Sequence, residues 1–197
     1  MVQWKLYLFG PPRVERNGQP LAINLRKALA LFVYLAVTRQ THSRDALATL
    51  FWPDKDQQGA RANLRRTLYD LSQLLDGQLL AVGPDTVSLT ADAPLWNDVA
   101  LFQATLAQHL SAAESGLADA ELPPLKQAIE LYTDDFLAGF TLPDCPAFDD
   151  WQFFQREELR GAYAQLLQQL VTVHETAGKW DEAMHYARRW LLLDPLE

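Results

Sequence analysis

The chain has 197 residues, of which 49% are hydrophobic and 21% charged. That is enough apolar material for a real core in one or two domains, and it excludes a disordered tail. No apolar run approaches the roughly 20 residues needed to span a bilayer, and the opening MVQWKLYLFG lacks the long apolar stretch of a signal peptide.

The net charge of −8 hides an asymmetry. From Met1 to Asp92, 11 Lys and Arg face 8 Asp and Glu, a net of +3; from Ala93 to Glu197, 6 face 17, a net of −11. A polyanion is drawn to the first half and repelled by the second. Cys145 is the only cysteine, so no internal disulfide forms, which fits a reducing cytoplasm, and the thiol reads as a small buried group.

Along the chain, Trp4, Leu6 and Leu8 alternate with Lys5, Tyr7 and Phe9, the period of a strand, until Gly10-Pro11-Pro12 breaks the run. Arg13 to Arg16 and Leu21 to Ile23 flank Asn17-Gly18, a strong hairpin dipeptide. A small antiparallel sheet therefore comes first. Leu25, Ala28, Leu29, Phe32, Leu35 and Ala36 then recur at helical spacing. Ser43 is placed to cap a short second helix with Leu47, Leu50 and Phe51 inward, ended by Trp52-Pro53. A third helix is expected from about Gln58 to Leu75, with Ala60, Leu64, Leu68, Leu71 and Leu75 as its buried stripe and Asp76-Gly77 as its stop. Leu79 to Val82 and Val87 to Leu89 read as strands around the turn Gly83-Pro84-Asp85. Sheet, three helices and a closing hairpin is the element order of a winged helix-turn-helix.

Ala91 to Pro94 is the expected boundary, and everything beyond it is expected to be helical: about Asp98 to His109, Leu122 to Phe136, Phe148 to Ala177, and Trp180 to Leu193. Gly178-Lys179 joins the last two helices into an antiparallel pair. AGKWDEAMHYARRWLLLDP looks like half of a tetratricopeptide repeat. Trp151, Trp180 and Trp190 are expected to pack in the core and the helical hairpin, whereas Trp190 to Leu193 with Leu196 place so much apolar surface at the end that an exposed patch, self-association and a longer parent protein are expected. His42, His109, His174 and His185 show no metal-ligand spacing. No Gly-rich phosphate loop, nucleophile elbow or Walker-type lysine occurs, so no enzyme, metal or cofactor is expected.

LYLFGPPRVERNGQPLAI, LRKALALFVYLA and HSRDALATLFWP together resemble the OmpR-type winged helix of the antibiotic regulatory proteins (SARP type). LKQAIELYTDDFLAGF, FDDWQFFQREELRGAYAQLL and the terminal AGKWDEAMHYARRWLLLDPLE are similar to the bacterial transcriptional activator domain (BTAD) that follows it there. The resemblance implies an α+β winged-helix DNA-binding domain at 1–92 and an all-α, tetratricopeptide-like (TPR-like) helical-repeat domain at 93–197. It implies a transcriptional activator whose partners are double-stranded DNA, RNA polymerase or other regulator domains, and a second copy of the chain.

The same resemblance sends the third helix into the major groove. Its candidate contacts are Arg61, Asn63, Arg65, Arg66 and Tyr69, because Arg reaches guanine edges or phosphates and Asn pairs with adenine. Ser43 and Arg44 match the family's Ser-Arg pair and would meet a phosphate. Here the later half of that helix carries Asp70, Ser72 and Gln73, where the family is more basic, and the expected wing, Gly83 to Leu89, carries Asp85 and no basic residue. The alternative is therefore a protein-interaction scaffold whose winged helix no longer binds DNA.

Overall fold

The computed structural model describes residues 3–112, 122–142 and 144–193. Leu196 and Pro143 lie outside them. Strands β1 (Trp4–Tyr7), β2 (Arg13–Arg16) and β3 (Gln19–Leu21) form an antiparallel ribbon, with Trp4 and Leu6 fully buried and Lys5 and Tyr7 half-buried. Asn17 and Gly18 turn the second hairpin with φ of 52° and 76°, the left-handed pair that a two-residue turn of this twist requires. The Asn17 side chain also accepts a hydrogen bond from the Gln3 amide at 2.9 Å.

Three helices follow: α1 (Arg26–Thr38), α2 (Arg44–Phe51) and α3 (Gln57–Leu74). Between α1 and α2, a two-residue strand β4 (His42–Ser43) was not visible in the sequence pattern. It pairs with β6 (Thr86–Leu89), which pairs with β5 (Leu80–Val82), giving a three-stranded sheet of order β4-β6-β5. α1 is buried nearly all round at Ala28, Ala30, Leu31, Phe32, Val33, Leu35 and Ala36, the condition of a helix enclosed on both sides. Leu25, expected on its apolar stripe, instead precedes the helix and is exposed.

The larger departure lies beyond the hairpin. The chain does not pass directly into helix: β7 (Leu95–Asn97) adds to the first sheet in parallel with β1, giving the order β3-β2-β1-β7. Asp98 opens α4 (Asp98–Ala112), and its buried carboxylate accepts hydrogen bonds from the amides of Leu8 and Phe9 at 2.8 and 3.1 Å, and from Val99. Burial pushes this carboxyl above the usual range, against the pull of those donors.

α5 (Leu122–Leu131) ends five residues before the expected Phe136. The segment after it is claimed by the first sheet: Thr133 Oγ1 donates to the Phe9 carbonyl at 2.8 Å, and the Gly10 and Leu137 amides bond to Asp135 and Leu8 carbonyls. Phe136 bridges Phe9 and Gly10 and is fully buried. These long-range bonds override the helical tendency of the local sequence.

α6 (Pro146–Thr176) and α7 (Trp180–Leu193) form the antiparallel pair, turned at Gly178 with φ 69°. His174 stacks on Tyr186, and Arg189 Nε donates to the Tyr163 hydroxyl at 3.0 Å. The start of α6 packs on the first half: Cys145 is buried with its thiol on the Phe51 carbonyl, Phe148 meets the Phe51 ring, and Trp151 meets Tyr34 of α1. One continuous core therefore runs from Trp4 to Tyr186. Trp151 packs against it as expected, but Trp180 and Trp190 are 64% and 38% exposed, beside Leu191 and Leu192 at 65% and 81%. The apolar surface expected at the end of the chain is present on α7.

Candidate nucleic-acid interface

α3 is anchored on one side and open on the other. Ala60, Leu64, Thr67, Leu68 and Leu71 are buried against the core, while Arg61, Ala62, Arg65, Arg66 and Tyr69 are exposed. Its start is fixed by Asp56, whose carboxylate accepts from the Gly59 amide at 3.0 Å. Its end is fixed by Asp76 and Gly77, both at positive φ, with the Gly77 amide on the Ser72 carbonyl at 2.7 Å. The helix is thus a rigid bar with a fixed outer face.

Four of the seven expected residues come together. Ser43, Arg44, Arg61 and Arg65 line a cleft of about 290 Å³ with Asp45, Pro84 and Asp85, where the start of α2, the first turns of α3 and the β5–β6 turn converge. Arg66 and Tyr69 lie outside this cleft on the exposed face of α3, Tyr69 being 65% exposed. Asn63 is half-buried.

The individual contacts divide these residues. The Ser43 hydroxyl caps α2, accepting from the Ala46 amide at 3.1 Å. The Arg44 guanidinium donates to the carbonyls of Gly83 at 2.9 Å and Pro84 at 3.4 Å, while its amide bonds to the Asp85 carbonyl. Arg44 therefore ties α2 to the hairpin turn. Arg61 makes a two-pronged ion pair with Asp45, its terminal nitrogen 2.6 Å from Oδ2. That guanidinium holds the Asp45 carboxyl below its usual range, and Asp45 and Asp85 in turn raise Arg61. Arg65 and Arg66 have no hydrogen bond or ion pair among the described residues, so their charges face solvent.

Asp45 is the residue of this cleft that the sequence pattern does not mark. An acidic residue in the first turn of a helix is ordinary, so nothing marked it as the partner of an arginine 16 positions on. Asp85 is legible as an acid in the turn, but its approach to Arg61 depends on how the hairpin folds back.

No family model matches the chain, and no curated protein does. Among solved structures, the chain is similar to Mycobacterium tuberculosis EmbR in complex with a low affinity phosphopeptide, at a TM-score of 0.66 and 20% identity, over 98% of this chain and 61% of that one. The two share a fold. This chain spans about three fifths of the EmbR chain it matches. Among the described residues, no three His, Cys, Asp or Glu side chains gather as a metal site, and no helix is long and apolar enough to cross a membrane.

Proposed function

We propose that this chain is part of a DNA-binding transcriptional regulator. Residues 1–92 act as a winged helix-turn-helix that presents α3 to the major groove, and residues 93–197 act as a TPR-like activator domain for dimerisation or contacts with transcription machinery. The observation that carries this reading is the outer face of α3, where Arg65 and Arg66 stand exposed and unpaired on a helix whose opposite face is locked in the core. An unneutralised guanidinium pair on a rigid helix is what phosphate and guanine edges require. The resemblance to the antibiotic regulatory proteins and the fold shared with EmbR support the same reading.

In this reading Arg65, Arg66 and Tyr69 make the direct contacts and Asn63 contributes from the rim. Ser43 and Arg44 contribute by shaping the start of α2 and the hairpin, with the α2 amides toward a phosphate. A fluorescence-anisotropy titration of the chain with promoter and random duplexes at two salt concentrations is the test. A binder loses affinity steeply with salt as counterions are released; absent binding, or affinity indifferent to salt, overturns the proposal.

A second reading, a protein-interaction scaffold with a degenerate winged helix, is favoured by one observation. Two of the four arginines near the cleft are already engaged, Arg61 by Asp45 and Arg44 by the turn carbonyls. The same titration separates the two.

A further inference from the structure

The first half of α6 has two faces. Phe148, Gln152 and Leu159 are buried and Trp151 packs beside them. On the outer side, Asp150, Phe153, Phe154, Glu157, Glu158 and Gly161 follow at three- and four-residue spacing, all exposed. Phe153 and Phe154 are 48% and 68% exposed and touch edge to face at 5.7 Å. Two adjacent phenylalanines held in water on a well-anchored helix contribute nothing to the core, and such a patch marks a contact surface.

The charge around the patch says what fits it. From Pro146 to Gly161 there are four acids, Asp149, Asp150, Glu157 and Glu158, and two cations, Arg156 and Arg160, of which Arg160 lines the cleft with Tyr132 and Tyr163. Arg156 lies over the Phe153 ring at 5.4 Å and pairs with the exposed Glu157 at 3.5 Å, so the acids still outnumber the cation on this face. The outer face is thus an aromatic pair collared by net negative charge. Phosphate backbones and anionic lipid surfaces are repelled by it. A two-fold pairing of this face with itself would set Asp150, Glu157 and Glu158 of one copy against the same acids of the other.

We propose that the outer face of α6, centred on Phe153 and Phe154 and flanked by Asp150, Glu157 and Glu158, docks a cationic amphipathic helix of another protein. Its apolar stripe covers the two rings and its flanking Lys or Arg residues meet the acids. This deepens the protein-contact role proposed for the helical half and rests on that part of the reading; it does not depend on DNA binding. The phenylalanines supply affinity because they are fixed on a rigid helix before the partner arrives, and the acids supply orientation and association rate.

The test uses the full chain and a fluorescein-labelled synthetic helix of Leu and Lys in amphipathic order, with a control in which Ser replaces every Leu. The parent protein should bind the Leu–Lys peptide at least tenfold more tightly than the control. Phe153→Ser/Phe154→Ser should lose tenfold or more, with circular dichroism unchanged. Glu157→Gln/Glu158→Gln, which keeps the rings, should weaken binding and flatten its salt dependence. Equal binding by the parent and the phenylalanine variant, or equal binding of the two peptides, overturns the proposal. So does sedimentation showing self-association that the phenylalanine variant abolishes, since the occupant would then be a second copy. Arg65→Ala/Arg66→Ala should keep peptide binding while weakening DNA binding roughly 30-fold, which separates failure of this surface from failure of the DNA reading.

Discussion

Replacing both Arg65 and Arg66 by Ala separates the DNA-binding reading from its rival with an internal control. Both side chains are exposed and no hydrogen bond or ion pair holds them among the described residues, so the fold should change by no more than about 0.5 kcal/mol. If each contacts DNA, losing both costs about 2 kcal/mol, roughly 30-fold in affinity at fixed salt. If both contacts are to phosphate, the slope of log affinity against log salt also falls by about 2. Arg61 has the same chemistry and sits on the same helix, but its charge is matched by Asp45. Arg61→Ala should therefore shift the slope by well under one unit, while Asp45→Asn, which releases Arg61, should steepen it. Anisotropy titrations across salt, with thermal melts of each variant, give all four numbers. If the double variant binds with the affinity and slope of the parent, α3 is not the contacting helix.

Three further outcomes follow from the packing. Asp98→Ala leaves the buried amides of Leu8 and Phe9 without their carboxylate, while Val99 keeps the Asn97 side-chain oxygen at 2.9 Å; it should destabilise the chain by about 2 kcal/mol or more in urea unfolding, at the usual 1–3 kcal/mol for each orphaned donor, and Asp98→Asn by less. His174 is 2% exposed, stacked on Tyr186, with no hydrogen-bond partner at either ring nitrogen, and burial, then Lys126, lower its pKa from 6.5. The unfolded chain then takes up the proton first, so stability should be full above about pH 6.5 and fall as pH drops through the window below it; melting curves from pH 7.5 to 5.5 should show this, and His174→Phe should flatten it without removing the parallel contribution of His42. Trp180, Met184, Leu191 and Leu192 are exposed on α7, so sedimentation over a concentration series should show self-association that Leu191→Glu/Leu192→Glu abolishes; a strictly monomeric parent at high concentration would contradict it.

The parts of the fold legible in the sequence are those with local causes. Asn17-Gly18 marked its turn because few other dipeptides accept two positive φ values, and Ser43 capped its helix where a hydroxyl before an apolar run said it should. The stripe from Ala60 to Leu75 fixed which side of α3 faces out. What could not be read has distant causes. Leu95 to Asn97 is too short to show a period, and it is a strand because β1 has a free edge. Phe136 left the helix because Phe9 and Gly10 hold it. At the candidate site, the residue types were visible but their engagement was not: Arg44 finds its carbonyls 39 and 40 positions away, and no pattern in the sequence joins Asp45 to Arg61.

The parallel pairing of β1 with β7 also orders events during synthesis. Synthesis runs from the N-terminal side to the C-terminal side, so the first hairpin and the three helices emerge before the residues that complete their support. The free edge of β1 is closed only by residues 95–97, the amides of Leu8 and Phe9 by Asp98, and the Phe51 ring by Phe148. Contacts so far apart in sequence form late and slowly. The sheet under the basic half is therefore closed only when residues 95–98 have been made, and the rings of Tyr34 and Phe51 are covered only when Trp151 and Phe148 arrive, so a nascent chain cut short near residue 92 would carry the basic face of α3 on a half with its sheet edge and aromatic rings still open.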